Sequence, residues 1–114
     1  MSDCVFCRIV AKDLPSSTVA ESDLCLAFDD IKPAAPVHVL VIPKRHIQDA
    51  ASLGDGDEAV VADMLSLARQ AARVKCIDSS GYRLIVNVGR DAQCEVLHLH
   101  MHVLGGRRMN WPPA

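Results

Sequence analysis

The sequence predicts an α+β domain: a single antiparallel sheet of about five strands, with one long helix covering one face and one short helix leading in. Three observations predict it. Strand-like segments outnumber helical ones, most of them could be joined by short turns, and only one stretch sustains a helical apolar period beyond two turns. At 114 residues and 12.3 kDa, residues 1–114 make one domain, too short for two cores yet able to bury roughly 65% of the unfolded surface without staples. No repeat, low-complexity tract or linker-length loop divides the chain.

Each element has a local cause. Val5, Phe6, Ile9 and Val10 recur at helical spacing, and Pro15 with Ser16-Ser17 stops the pattern, which predicts the short helix. Thr18 to Glu21 and Leu24 to Asp29 are short and partly β-branched or aromatic, and the polar pair Ser22-Asp23 between them suits a tight hairpin. After Pro33 and Pro36, the run Val37 to Pro43 is apolar except for His38, as expected of a central strand buried on both faces and stopped by Pro43. Beyond Gly54, Val60, Met64, Leu67, Ala68 and Ala71 fall on one helical face, with acidic residues in the first turn: this is the long helix. Gly81 introduces Tyr82 to Val88 as a strand, the loop Gly89 to Glu95 follows, and Val96 to Leu104 is the last strand, closed by Gly105-Gly106.

Composition narrows the function. Half the residues are apolar, 23% are charged, and 12 Lys+Arg against 14 Asp+Glu leave a net charge of −2. That balance predicts neither disorder nor a polyanion-binding surface, so no nucleic-acid partner is expected. No apolar run approaches the roughly 18 residues of a membrane span, and the start Met1-Ser2-Asp3-Cys4 has no basic or apolar leader region. A soluble, cytoplasmic protein with no membrane partner is the expectation. The five cysteines are an odd number and should then stay reduced, as thiols or metal ligands.

The chemistry concentrates in the last strand. His98, His100 and His102 alternate there with Leu97, Leu99, Met101 and Val103, so a period of two puts the three imidazoles on one face and the core on the other. At ~3.3 Å per residue, neighbouring imidazoles start ~6.6 Å apart, close enough to share one ion or one substrate. A lone strand histidine is usually just a half-exposed side chain, but three of five histidines in strict alternation ask for more. Two chemistries suit them: three ligands of a divalent metal, or a nucleophilic imidazole oriented by its neighbours. Glu95 is the only carboxylate adjacent in sequence to fix metal-bound tautomers, which favours the nucleophile.

His98-Leu99-His100-Met101-His102-Val103-Leu104 is similar to the histidine triad (HIT) pattern, in which three histidines alternate with apolar residues. Cys25 to Ile31, Pro36 to Ile47, Tyr82 to Gly89 and Leu104 to Pro113 resemble, in order, the histidine triad nucleotide-binding branch, so the resemblance spans nearly the whole chain. It implies a HIT-like fold and a homodimer that binds purine nucleotides. It also implies hydrolysis of nucleoside phosphoramidates, or related adducts such as acyl-adenylates, through a nucleotidyl-histidine intermediate. By position, His100 resembles the nucleophile and His102 the residue that contacts the phosphate. His98 resembles the residue whose main chain orients the nucleophile, and Asn87 the phosphate-side amide. Asp30 resembles the acceptor of the ribose hydroxyls, with Asp29 facing away; a carboxylate suits a vicinal diol. Phe6, Ile9, Phe28 and Ile31 match the base pocket, and Cys94, Val96 and Trp111 complete the implied nucleotide site.

Two features qualify that expectation. Where the branch carries a glutamine and a hydroxyl residue before Val-x-His, this chain has Cys94-Glu95. Glu95 is therefore either a recruited general acid or an ionised intruder beside the phosphate. The latter leaves a rival function open, a nucleotide-binding dimeric interaction or regulatory module with weak or no turnover. Second, Cys4-x-x-Cys7 has the spacing of half a tetrahedral zinc site, and the resemblance brings His46 and His98 to complete a Cys₂His₂ set. A structural zinc is the cofactor expected there, and none is expected for the chemistry. Cys25, Cys76 and Cys94 read as bystanders in metal binding, although Cys94, in the loop that the resemblance sets beside the phosphate, could be a reactive thiol.

Overall fold

Alternating side chains along the central strands of one sheet build two cores of unequal size on its opposite faces. The computed structural model describes residues 3–113. Its elements are α1 (Val5–Val10), β1 (Thr18–Glu21), β2 (Cys25–Asp29), β3 (Val37–Pro43), α2 (Glu58–Val74), β4 (Tyr82–Ile85) and β5 (Met101–Gly105), with single 3₁₀ turns at Ala50–Ser52 and Arg90–Ala92. The strands form one antiparallel sheet in the order β1-β2-β3-β5-β4, the α+β architecture expected from the sequence.

Cys25 and Ala27 of β2, Val39 and Val41 of β3, and Val103 of β5 pack against Met64, Leu67, Ala68, Ala71 and Ala72 of α2 in the larger core. Leu26, Phe28, Leu40 and Ile42 point to the other face, where Phe6 of α1 closes a smaller core. β3 is buried on both faces because it lies between β2 and β5 and beneath both layers. At Gly105 an added Cβ would sit 2.7 Å from Ile77 Cδ1, so the segment following α2 packs directly on the β5 backbone there.

Three boundaries differ from the sequence expectation. The first hairpin turns at Asp23-Leu24, not Ser22-Asp23: Ser22 and Cys25 close the turn by the Ser22 N–H to Cys25 carbonyl bond of 3.0 Å, and Ser22 Oγ accepts from the Cys25 N–H. The last strand begins at Met101, opposite Val41. Continuing that register sets His100 opposite Ile42 and Leu99 opposite Pro43, which has no N–H to offer a ladder; the Leu99 N–H donates instead to the Ile47 carbonyl at 2.6 Å, and residues 96–98 run past the end of β3. β4 stops at Ile85, opposite His102; continuing the register sets Val86 opposite Met101, the first residue of β5, and leaves 87 and 88 with no strand residue opposite them.

Candidate active site

The face carrying α1 also carries the histidines. His38 enters it from β3 and His102 from β5, adjacent strands in which Leu40 pairs with His102. His98 and His100 precede β5 yet keep its alternation: Leu99, Met101 and Val103 enter the larger core while Phe6 stands edge-on to both His98 and His100, with centroids 5.8 and 5.3 Å away. The rings of His100 and His102 lie 5.1 Å apart. A cleft of about 580 Å³ opens over them. Its apolar lining comes from Val5, Phe6 and Ile9 of α1 with Phe28, Ile31 and Leu40, and its polar lining includes Asp30, Asn87, Gln93, Glu95, His100 and His102.

Hydrogen bonds assign a tautomer to each ring. His100 donates from Nδ1 to the His98 carbonyl at 2.7 Å, which leaves a lone pair on Nε2. The Ala34 N–H donates to His38 Nδ1 at 2.9 Å, so the proton of a neutral His38 sits on Nε2. That Nε2 donates to His102 Nδ1 at 2.8 Å and lies 3.4 Å from Asp30 Oδ2. The proton of a neutral His102 therefore sits on Nε2; Asn87 Nδ2, 3.5 Å away, is also a donor, so these two groups are not bonded to each other and both are available to an acceptor in the cleft. Asp30 is itself held by the Lys32 N–H, which donates to Oδ1 at 2.8 Å.

Burial dominates the protonation of the cluster. It pushes His102 down to about 4, helped by His100 and His38, and it lowers His38 despite the Asp30 carboxylate. Both rings are thus neutral in the folded chain at pH 7. A histidine whose folded pKa lies below its unfolded value near 6.5 costs no stability above that value and progressively more as pH falls towards the folded pKa. Thermal stability is therefore expected to be level above about pH 7 and to drop between pH 6.5 and 4, with His102 contributing at most about 3 kcal/mol. Unfolding curves of the wild type and His102→Gln across that range check this, the variant being expected to lose less.

A second constellation lies beside the first. Donor atoms of Cys4, Cys7, His46 and His98 all lie within 4.8 Å of one another. Cys4 Sγ and Cys7 Sγ are 3.3 and 3.5 Å from His98 Nδ1, and Cys7 Sγ is 3.3 Å from His46 Nδ1. Tetrahedral zinc, with bonds of about 2.3 Å to sulfur and 2.0–2.1 Å to nitrogen, has S···N edges of about 3.5 Å. The fully buried His98 also donates from Nε2 to the Pro43 carbonyl at 2.8 Å, which leaves Nδ1 as the ligating atom. The four residues fit a closed structural site. Asp30, His38 and His102 also cluster, but a metal on His38 Nε2 would require a proton on Nδ1, facing the Ala34 N–H. Two donors would then oppose each other, so a metal held by the triad face is disfavoured.

The structure thus brings together Phe6, Ile9, Phe28, Asp30, Ile31, Asn87, Glu95, Val96, His100 and His102 in one cleft. Phe28 is both pocket wall and core, while Ile31 is 92% exposed at the mouth. Asp29 also borders the cleft, but its carboxylate is paired with Lys75, 2.8 Å distant. Cys94 and Trp111 do not line the cleft. Cys94 Sγ lies 3.6 Å from the Val96 carbonyl, and Trp111 is 80% exposed with its ring 5.9 Å from the Arg83 guanidinium. Cys25 is an inert bystander, buried with its thiol pushed up to about 12, chiefly by desolvation. Sequence reasoning missed His38 as a site residue; its only signal was a polar residue in an otherwise apolar strand.

A family model described as the HIT domain matches residues 11–109. A HIT family hydrolase from Legionella pneumophila is 42% identical, with a TM-score of 0.94 over 98% of this chain and 100% of that one. A histidine triad protein from Clostridium difficile is 38% identical, with a TM-score of 0.92 over 96% of each chain. A histidine triad nucleotide-binding protein from Candida albicans superimposes with a TM-score of 0.82 at 30% identity, over 98% of this chain and 85% of that one. An uncharacterized HIT-like protein of Synechocystis is 40% identical across 98% of this chain and 97% of its own length.

Proposed function

The chain belongs to the HIT domain family, and we propose that it is a nucleotidyl hydrolase, cleaving purine nucleoside phosphoramidates or related adducts through a nucleotidyl-His100 intermediate. The observation that supports this most is the wiring of His100. Its Nδ1 proton is committed to the His98 carbonyl, so the Nε2 lone pair is the free nucleophile, and the cleft it lines combines apolar side chains with polar ones, Asn87 and His102 among them.

The purine lies between Phe6, Ile9, Phe28 and Ile31, and Asp30 accepts hydrogen bonds from the ribose diol through lone pairs that Lys32 leaves free. His102 donates from Nε2 to the phosphoryl oxygens beside Asn87. His100 Nε2 then forms the bond to phosphorus while the phosphorus–nitrogen bond breaks, and the amine leaves with a proton taken up from solvent at the open end. The phosphoryl-imidazolium is a good electrophile, so water displaces His100 to give the mononucleotide. Rapid quenching with an adenosine phosphoramidate of a chromophoric amine tests the scheme. Amine should be released in a burst, with a nucleotidyl adduct on the peptide containing His100; turnover with no such adduct would refute it.

Glu95 bears on rate. It is an exposed carboxylate on the polar rim of the cleft, where an anion repels the phosphate. Between unit charges separated by water such repulsion is worth less than about 1 kcal/mol. Glu95→Ser is accordingly expected to raise kcat/KM about threefold, and less at high salt. A slower serine variant that loses the alkaline limb of the wild-type pH profile would instead make Glu95 the general acid.

The same reading includes a zinc ion on Cys4, Cys7, His46 and His98, and a homodimer. β4 is an edge strand whose flank exposes Leu84, Val86 and Val88, so pairing of two β4 strands would cover it. Trp111 stays in the proposed nucleotide site only through such a dimer, because it does not reach the cleft of its own chain. Among the described residues, no helix is long and apolar enough to cross a membrane.

A further inference from the structure

The Cys/His corner and the nucleotide cleft are built from shared parts. Helix α1 has six residues, too few to persist without tertiary anchors. One end of it reaches the corner: Cys4 caps the helix, its Sγ accepting from the Cys7 N–H at 3.4 Å, and both sulfurs face His98. One flank of it, Val5, Phe6 and Ile9, is the wall of the base pocket. Phe6 bridges the two, standing 5.8 Å from His98, 5.3 Å from His100 and 5.7 Å from Phe28.

His98 is shared in a second way. Its ring faces the two sulfurs while its carbonyl accepts the Nδ1 proton of His100. Residues 96–100 lie outside the sheet ladder. The Leu99 bond to Ile47, the His98 bond to Pro43 and the corner itself are therefore what set the height of that carbonyl. Both thiolate ligands also precede residue 11, where the match to the family model begins.

We propose that Cys4, Cys7 and His46 are positioning residues for the nucleotide site, metal ligation at their corner and nucleotide binding in the cleft being positively coupled through α1 and the main chain of His98. The inference rests on the nucleotide site and the zinc ion proposed above. A metal that draws Cys4 and Cys7 onto His98 seats α1 against the sheet and pins the His98 peptide. A purine closing on Phe6 and Ile9 seats the same helix from its other side. Each ligand meets part of the other's ordering cost, and linkage makes the effect reciprocal.

The test uses the full-length chain. AMP affinity is measured first on zinc-loaded protein by calorimetry. Zinc affinity is then measured by competition with a chromophoric chelator, without and with saturating AMP, at a temperature where far-UV circular dichroism shows the metal-depleted chain folded. AMP is expected to tighten zinc binding about tenfold, and zinc to tighten AMP binding by the same factor. His46→Ala, which keeps three ligands, should bind zinc more weakly and bind AMP more weakly at limiting zinc. Excess zinc, or His46→Cys in its place, should restore AMP affinity. Should depletion unfold the wild type, the zinc titration with and without AMP is made on folded His46→Ala. Zinc affinity unchanged within twofold by AMP, on protein that binds both, would overturn the coupling and leave the functional reading intact; failure of zinc-loaded protein to bind AMP would overturn both.

Discussion

Replacing His100 with alanine is expected to lower kcat by about 10⁴-fold or more while the dissociation constant for AMP changes by less than about fivefold. The two numbers separate because the imidazole forms a bond to phosphorus only during reaction. On the proposed reading, the ground-state nucleotide would be held by the apolar wall of Phe6, Ile9 and Phe28, by Asp30, and by the His102 donor. His100→Asn should behave likewise, since an amide has no comparable nucleophilic lone pair. Steady-state kinetics on an adenosine phosphoramidate, with calorimetry for AMP, read both quantities. A variant that keeps kcat within tenfold of the wild type would remove His100 from the nucleophile's role. Equal losses in kcat and in AMP affinity would mean that the ring supports the cleft rather than the chemistry.

Loss of the metal corner is the change expected to cost the fold most. A closed Cys₂His₂ site contributes folding free energy because the unfolded chain cannot hold the metal in the same geometry. Here the site also ties Cys4 and Cys7, more than 90 positions away in the chain, to His98, three residues ahead of the last strand. Cys7→Ser removes a sulfur that lies within 3.5 Å of both His46 and His98. We expect its Tm to fall by roughly 10 °C or more, since about 1 kcal/mol shifts a domain of this size by several degrees. A strong chelator should bring the wild type down to the level of Cys7→Ser and leave that variant nearly unmoved. Elemental analysis of freshly purified, unchelated protein should find close to one zinc per chain, and a trace level would sink the assignment. At saturating substrate the folded variant should keep kcat far better than His100→Ala does.

Much of the fold could be read residue by residue. The spacing of Met64, Leu67, Ala68 and Ala71 marked the buried face of α2, and the unbroken apolar run of β3 announced a strand covered on both faces. What failed was the extent of strands at their ends. Tyr82 to Val88 and Val96 to Leu104 have strand-like composition throughout, yet a ladder lasts only as long as its partner offers backbone groups. Pro43 ends one partner, and the start of β5 ends the other. The site shows the same division. Three alternating histidines were plain in the sequence because a period of two is local information. His38 was not, because its significance lies in a partner 64 positions away, His102 Nδ1 at 2.8 Å, and in an amide four residues back that sets its tautomer.

The sequence by itself determined which side chains share a face. Local alternation and helical period decide that, and they placed Leu99, Met101 and Val103 in the core opposite His98, His100 and His102. Only the tertiary structure decided the hydrogen bonds that each histidine on that face makes. His98 leaves its neighbours and turns its ring to Cys4 and Cys7, because the chain there has run past the sheet and packs against α1. His100 keeps a free Nε2 because the His98 carbonyl takes the other proton. His102 becomes a donor because Ala34, His38 and His102 pass one orientation along a chain of hydrogen bonds. The physical reason is that a tautomer depends on which donor or acceptor lies within about 3 Å, and folding brings those partners from distant parts of the chain.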